Sequence, residues 1–99
     1  MTVVLRQALP RRRKLSRPLG EYCRRFYSDT AISYAPGTLE CGVGFFGDGQ
    51  VLFGTDFPMG SASGEQWTRD IVRAIEDADL SARSRERILG GNAKTMLGL

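Results

Sequence analysis

Apolar positions in this chain fall into blocks with different periods, and the clearest block is helical. Trp67, Ile71, Ile75 and Ala78 recur at spacings of four, four and three, one stripe on a helix over residues 66–78. Ser63 and Gln66 fit the S-x-x-Q capping box, in which each side chain takes up a free backbone N–H at the helix start. Leu80 and Ser81 open another helix through residue 89, whose exposed face carries Arg83, Arg85, Glu86 and Arg87. Gly90 and Gly91 should end it, leaving Asn92 to cap a short last helix over residues 93–97.

The first half is less regular. Residues 19–25 allow a helical turn or two with Leu19, Tyr22 and Cys23 on one side, and FYSDTA (26–31) reads as a short strand ending in polar residues. In TLECGVGFF (38–46), Leu39, Val43 and Phe46 have helical spacing. Gly42 and Gly44 each cost about 1 kcal/mol relative to Ala in a helix interior, so the expectation is a weak helix. GDG (47–49) turns the chain into a strand over residues 50–54. Strands alternating with helices predict parallel βα units. Two parallel strands do not make an independent sheet with both faces covered, so the chain reads as a piece of something larger.

One stretch raises a chemical question. VLFGTDFPMG (51–60) is an apolar strand that runs into Asp56 and breaks at Pro58. A turn aspartate bonding to its own backbone is one reading of Asp56. A carboxylate held at the end of a buried strand for chemistry is the other. Asp29 also ends a strand, and a turn or a structural hydrogen bond with Thr30 is the better account of it. Thr55 either orients a ligand or pairs within the turn, Pro58 fixes the loop, and Met59 and Trp67 read as packing.

Composition narrows the chemistry. The chain has 99 residues, 41% hydrophobic and 25% charged, which fits one small globular unit. It contains no histidine, so these residues supply no imidazole base or metal ligand. Two cysteines, Cys23 and Cys41, make a poor disulfide framework, and a reduced, cytoplasmic setting is the simpler reading. No segment has the apolar length of a membrane span.

Charge is uneven. Residues 1–25 carry eight Arg/Lys against the single Glu21, while the remainder carries six basic and ten acidic residues. Residues 1–18, with RRRKLSR framed by Pro10 and Pro18, read as a basic connector. An Arg-rich, acid-poor start also suits a mitochondrial presequence. The Arg11–Lys14 run invites a nucleic-acid reading, but no aromatic interleaving or recognition helix accompanies it and the body is acidic, so nucleic acid is not the expected partner.

LFGTDFP, a following amphipathic helix and RERILGGNAKTMLGL together resemble the C-terminal end of the amidohydrolase-related superfamily, in the branch of aminocarboxymuconate-semialdehyde and resorcylate decarboxylases. RPLGEYCRRFYSDTA resembles the segment that enters that family's seventh barrel strand. The resemblance implies an α/β fold, with residues 19–99 forming the last two βα units and closing helices of a (β/α)8 TIM barrel. Such barrels typically take about 250 residues and carry their active sites at the C-terminal strand ends.

By that resemblance Asp56 matches the strand-eight aspartate, a ligand to a divalent metal, most often zinc, and a carboxylate suited to proton transfer. The implied activity is decarboxylation, or hydrolysis, of a small aromatic or unsaturated carboxylic acid. The family's other ligands are histidines, which this chain lacks, so the 99 residues alone are expected to be inactive and not to hold the metal. Their partner would be the missing N-terminal barrel half or a second copy. The alternative is a small non-catalytic binding protein derived from a truncated barrel.

Overall fold

The computed structural model describes residues 15–99. The expected basic connector therefore lies outside the described residues up to residue 14, and only 15–18 of it are seen, as exposed bends. Helix α1 (Leu19–Cys23) follows Pro18, which suits a helix entrance because its missing N–H would have no partner there. Leu19, Tyr22 and Cys23 are all half-buried, the shared side expected of them.

Two short strands, β1 (Ser28–Asp29) and β2 (Val51–Leu52), pair in parallel, with Ser28 opposite Val51 and Asp29 opposite Leu52. Helix α2 (Thr38–Phe46) joins them, so the unit is a βαβ crossover. The helix forms despite Gly42 and Gly44 because Leu39 is buried and Val43 and Phe46 pack on the core. Full burial of one such side chain stabilises by about 1.5–3 kcal/mol, so the three together outweigh the roughly 2 kcal/mol that the two glycines cost. Gln50, just before β2, donates from Nε2 to the carbonyls of Arg24 (3.1 Å) and Phe26 (3.2 Å), which ties the entrance of β1 to that of β2.

Helix α3 (Glu65–Asp77) lies along this unit with Ile71 and Ile75 fully buried. Together with Leu39, Val51 and Ile88 they form the core, flanked by Phe53, Trp67, Ala78 and Leu80. The stripe expected for this helix is the one it buries. Its start differs from the capping box. Ser61–Gly64 form a 3-10 turn with Ala62 and Ser63 left-handed (φ 54° and 57°), and Gly64 at φ 89° takes the cap position without a side-chain bond. Gln66 donates instead to Asp70 Oδ1 at 2.9 Å. The path around Pro58 decides this: a Cβ on Gly64 would lie 2.8 Å from the Pro58 carbonyl carbon. The chain can pass there only as glycine, and the helix begins directly after it, at Glu65.

The last helices also depart from expectation. Ser81 caps α4 (Ala82–Glu86) by accepting from the Ser84 N–H at 3.1 Å, as its position suggests. Gly90 and Gly91 do not end the helical run. Arg87–Gly91 make a π-helical turn that runs straight into α5 (Asn92–Leu97), with Gly91 at φ −59°, ψ −43°. The run ends at Gly98, φ 72°, where the Leu99 N–H reaches the Lys94 carbonyl and the Gly98 N–H reaches Thr95, a Schellman closure. Asn92 is helical and 7% exposed, so it caps nothing. Its side chain is needed in the interior. Arg85, expected on the solvent face, folds back to donate from Nη1 to the carbonyls of Ala78 (3.0 Å) and Leu80 (2.8 Å) at the end of α3.

Among the described residues no helix is long and apolar enough to cross a membrane. Cys23 and Cys41 are free thiols. Several large apolar side chains stay exposed, among them Phe26, Ile32 and Phe57, and among the described residues β1 has a strand partner on one side only.

Candidate functional site

The two strands end side by side, and one hydroxyl links them. Thr30, fully buried just after β1, donates from Oγ1 to the Gly54 carbonyl at 2.8 Å and accepts from the Gly54 N–H at 3.1 Å. It thus takes the place of a further strand rung and holds the backbone two residues before Asp56. In the sequence Thr30 stands out only as a neighbour of Asp29. No residue pattern distinguishes a hydroxyl that bridges strands from one in a turn.

Asp29 is structural, through a turn of its own. Its Oδ1 accepts from the Ala31 N–H at 2.9 Å, a local turn bond, and its side chain lies against Gly54. A Cβ on Gly54 would stand 3.3 Å from Asp29 Cβ, so the small residue lets the strand ends approach.

Asp56 follows at φ 58°, the left-handed region that Asp tolerates better than most residues. Its carbonyl accepts from the Met59 N–H at 2.9 Å and the Thr55 hydroxyl accepts from the Phe57 N–H at 3.2 Å, so backbone and threonine make the turn between them. The turn leaves the Asp56 side chain exposed, and among the described residues its carboxylate makes no hydrogen bond. Met59 is 59% exposed, contrary to the packing role expected of it. Trp67 does pack on the core, yet its buried Nε1–H has no hydrogen-bond partner among the described residues.

A second polar constellation sits at the opposite, entering end of β2. Asp48 Oδ2 accepts from the Ser84 hydroxyl at 2.7 Å and Oδ1 from Arg87 Nη1 at 2.9 Å. The Ser84 hydrogen bond holds the Asp48 carboxyl below the usual carboxylate range, with burial opposing and Arg87 assisting. Asn92 Nδ2 donates to the Asp48 carbonyl (2.6 Å) and the Val51 carbonyl (2.9 Å). Helices α4 and α5 are thereby bonded to the turn that launches β2. In the sequence Asp48 reads only as a turn residue and Asn92 as a cap, and the contact joining them spans 44 positions.

Among the described residues no three His, Cys, Asp or Glu side chains lie together as a metal could require. Asp56 and Asp29 occupy adjacent strand ends, but Asp29 is spent on its own turn. The geometry therefore offers one open carboxylate at the C-terminal end of a parallel pair.

A model of the amidohydrolase family matches residues 9–99. The chain belongs to the amidohydrolase family. That family is built on TIM barrels and generally uses a divalent metal. Over 40 residues the chain is 55% identical to 6-methylsalicylic acid decarboxylase of Penicillium expansum, a match covering 40% of this chain and 12% of that protein. This amidohydrolase chain thus aligns with a small part of its curated relative. No solved structure matches it.

Proposed function

We propose that these residues are the C-terminal part of a metal-dependent amidohydrolase-family enzyme that decarboxylates, or hydrolyses, a small aromatic or unsaturated carboxylic acid. In this reading residues 1–18 are a connector, residues 19–99 supply the last two βα units of the barrel, and β1 and β2 stand as strands seven and eight. The carrying observation is the open Asp56 carboxylate, placed just beyond the C-terminal end of a parallel strand pair inside the family match. Barrel enzymes assemble their sites at that end.

Asp56 then contributes one oxygen donor and a group able to hold a proton. A single carboxylate does not fit a metal site by itself, so the other donors, histidines by family resemblance, belong to strands outside these residues. The side of β1 that has no strand partner among the described residues, and the exposed Phe26 and Ile32, suit contact with that remainder, or with a second copy. The free thiols suit the cytoplasm.

The test starts from the endogenous polypeptide, captured by an antibody to its C-terminal peptide and weighed intact. A barrel-sized species should contain divalent metal and release CO2 from 6-methylsalicylate or a related acid. Loss of residues that merely orient metal ligands costs about 10- to 100-fold, so Asp56→Asn should cost at least as much and lower the metal content. A metal-free, inactive species of 10.9 kDa, or a barrel-sized enzyme indifferent to Asp56→Asn, refutes the proposal.

A further inference from the structure

Asp56 lies two residues past Gly54, and the path between them starts at a potential hinge. Phe53 packs on the core, so the chain is anchored up to that side chain. Gly54 comes next and has to be small, because a Cβ there would stand 3.3 Å from Asp29 Cβ. Glycine is also the residue least restrained in φ and ψ. Among the described residues, the hydrogen bonds that tie residues 53–58 to another segment are the two made by the Thr30 hydroxyl. They act on both sides of the hinge. The Gly54 N–H, which Thr30 Oγ1 accepts at 3.1 Å, belongs to the peptide plane before Gly54. The Gly54 carbonyl, to which Oγ1 donates at 2.8 Å, belongs to the plane after it. With both planes held by one buried oxygen, rotation about either backbone bond of Gly54 strains or breaks one of the two. Beyond Gly54 the turn moves as a unit, closed by the Thr55 hydroxyl on the Phe57 N–H and the Asp56 carbonyl on the Met59 N–H. A rotation at Gly54 would therefore swing the Asp56 carboxylate with it.

We propose that Thr30 is the positioning residue for the Asp56 carboxylate. This inference rests on the reading of Asp56 as a site residue and adds the group that aims it. Thr30 is fully buried, so it acts through Asp56 and not on a substrate. A free hinge at Gly54 lets the carboxylate sample orientations away from the reacting atoms, and a misplacement of about 1 Å can cost about 100-fold in rate.

The test uses the barrel-sized enzyme, with CO2 release from 6-methylsalicylate as the activity and circular dichroism to show that each variant is folded. Thr30→Val keeps the shape of the side chain and deletes the hydroxyl. It should lower kcat about 10- to 100-fold and leave KM within about threefold. Thr30→Ser restores the hydroxyl without the methyl group and should recover most of that loss, although it opens a small cavity. A role in packing alone predicts the reverse order, with the Val variant active and the Ser variant impaired. Hydrogen exchange over residues 53–58, read by mass spectrometry, should be about tenfold faster in Thr30→Val than in Thr30→Ser. Because Thr30 acts through Asp56, the double variant Thr30→Val, Asp56→Asn should be no more than about twofold slower than Asp56→Asn alone. Full activity in Thr30→Val, no recovery in Thr30→Ser, equal exchange in the two, or an additive loss in the double variant overturns the inference while Asp56→Asn still cripples the enzyme. Undiminished activity in Asp56→Asn instead refutes the reading of Asp56, and the positioning role with it.

Discussion

Replacing Asn92 by Ala removes the donor that serves two backbone carbonyls at the entrance of β2, Asp48 at 2.6 Å and Val51 at 2.9 Å. Each hydrogen bond contributes about 0.5–1.5 kcal/mol, and a buried acceptor left without a partner adds to the loss, so about 2–4 kcal/mol should disappear. A domain of this size has a total of about 5–15 kcal/mol. Asn92→Asp is the sharper test. It keeps the volume, but at neutral pH it offers no donor and sets a negative charge against two carbonyl oxygens. It should therefore be about 1 kcal/mol or more worse than Ala, and should recover part of the difference at acid pH, where the carboxyl can donate one bond. Urea unfolding followed by Trp67 fluorescence gives the comparison, provided the slope is shared between variants. A loss below about 0.5 kcal/mol for Ala, or an Asp variant at least as stable as Ala, would show that these bonds do not hold α5 to β2.

Other consequences concern the turn, the loop and pH. Because the folded pKa of Asp48 is depressed, its contribution is present above the unfolded value of 3.8 and is lost as pH falls from there through the folded pKa. Urea midpoints of the wild type should fall in that acid window, and those of Ser84→Ala and Asp48→Asn should fall less steeply. Gly64→Ala puts a Cβ 2.8 Å from Pro58 at φ 89° and should cost about 2 kcal/mol or more in thermal unfolding; a loss below about 0.5 kcal/mol would contradict the close approach. Ser63→Ala should leave stability within about 0.5 kcal/mol, whereas a true N-cap would lose about 1 kcal/mol. Ser63→Gly should stabilise by relieving a left-handed φ of 57°.

Periodicity and local chemistry determined much of this protein. The stripe from Trp67 to Ala78 is buried as its spacing requires, the α2 residues form a helix across two glycines, and Ser81 caps α4. The position of Asp56 beyond a strand was also legible, because the apolar run and the break at Pro58 are adjacent in the chain. Short-range features are encoded where they act.

Tertiary structure decided the rest. Ser63 had the right neighbours for a cap but lost the position to Gly64, since only glycine passes the Pro58 backbone. Gly90 and Gly91 had the composition of a helix end, yet the helix runs through them and carries Asn92 to carbonyls 41 and 44 positions away. Thr30 and Gly54, 24 positions apart, join through a hydroxyl that either strand alone would leave to water. A helix end or a polar side chain has several partners of similar energy within its own segment. Packing of distant segments chooses among them, because the choice that leaves a buried carbonyl or N–H unpaired is the costly one.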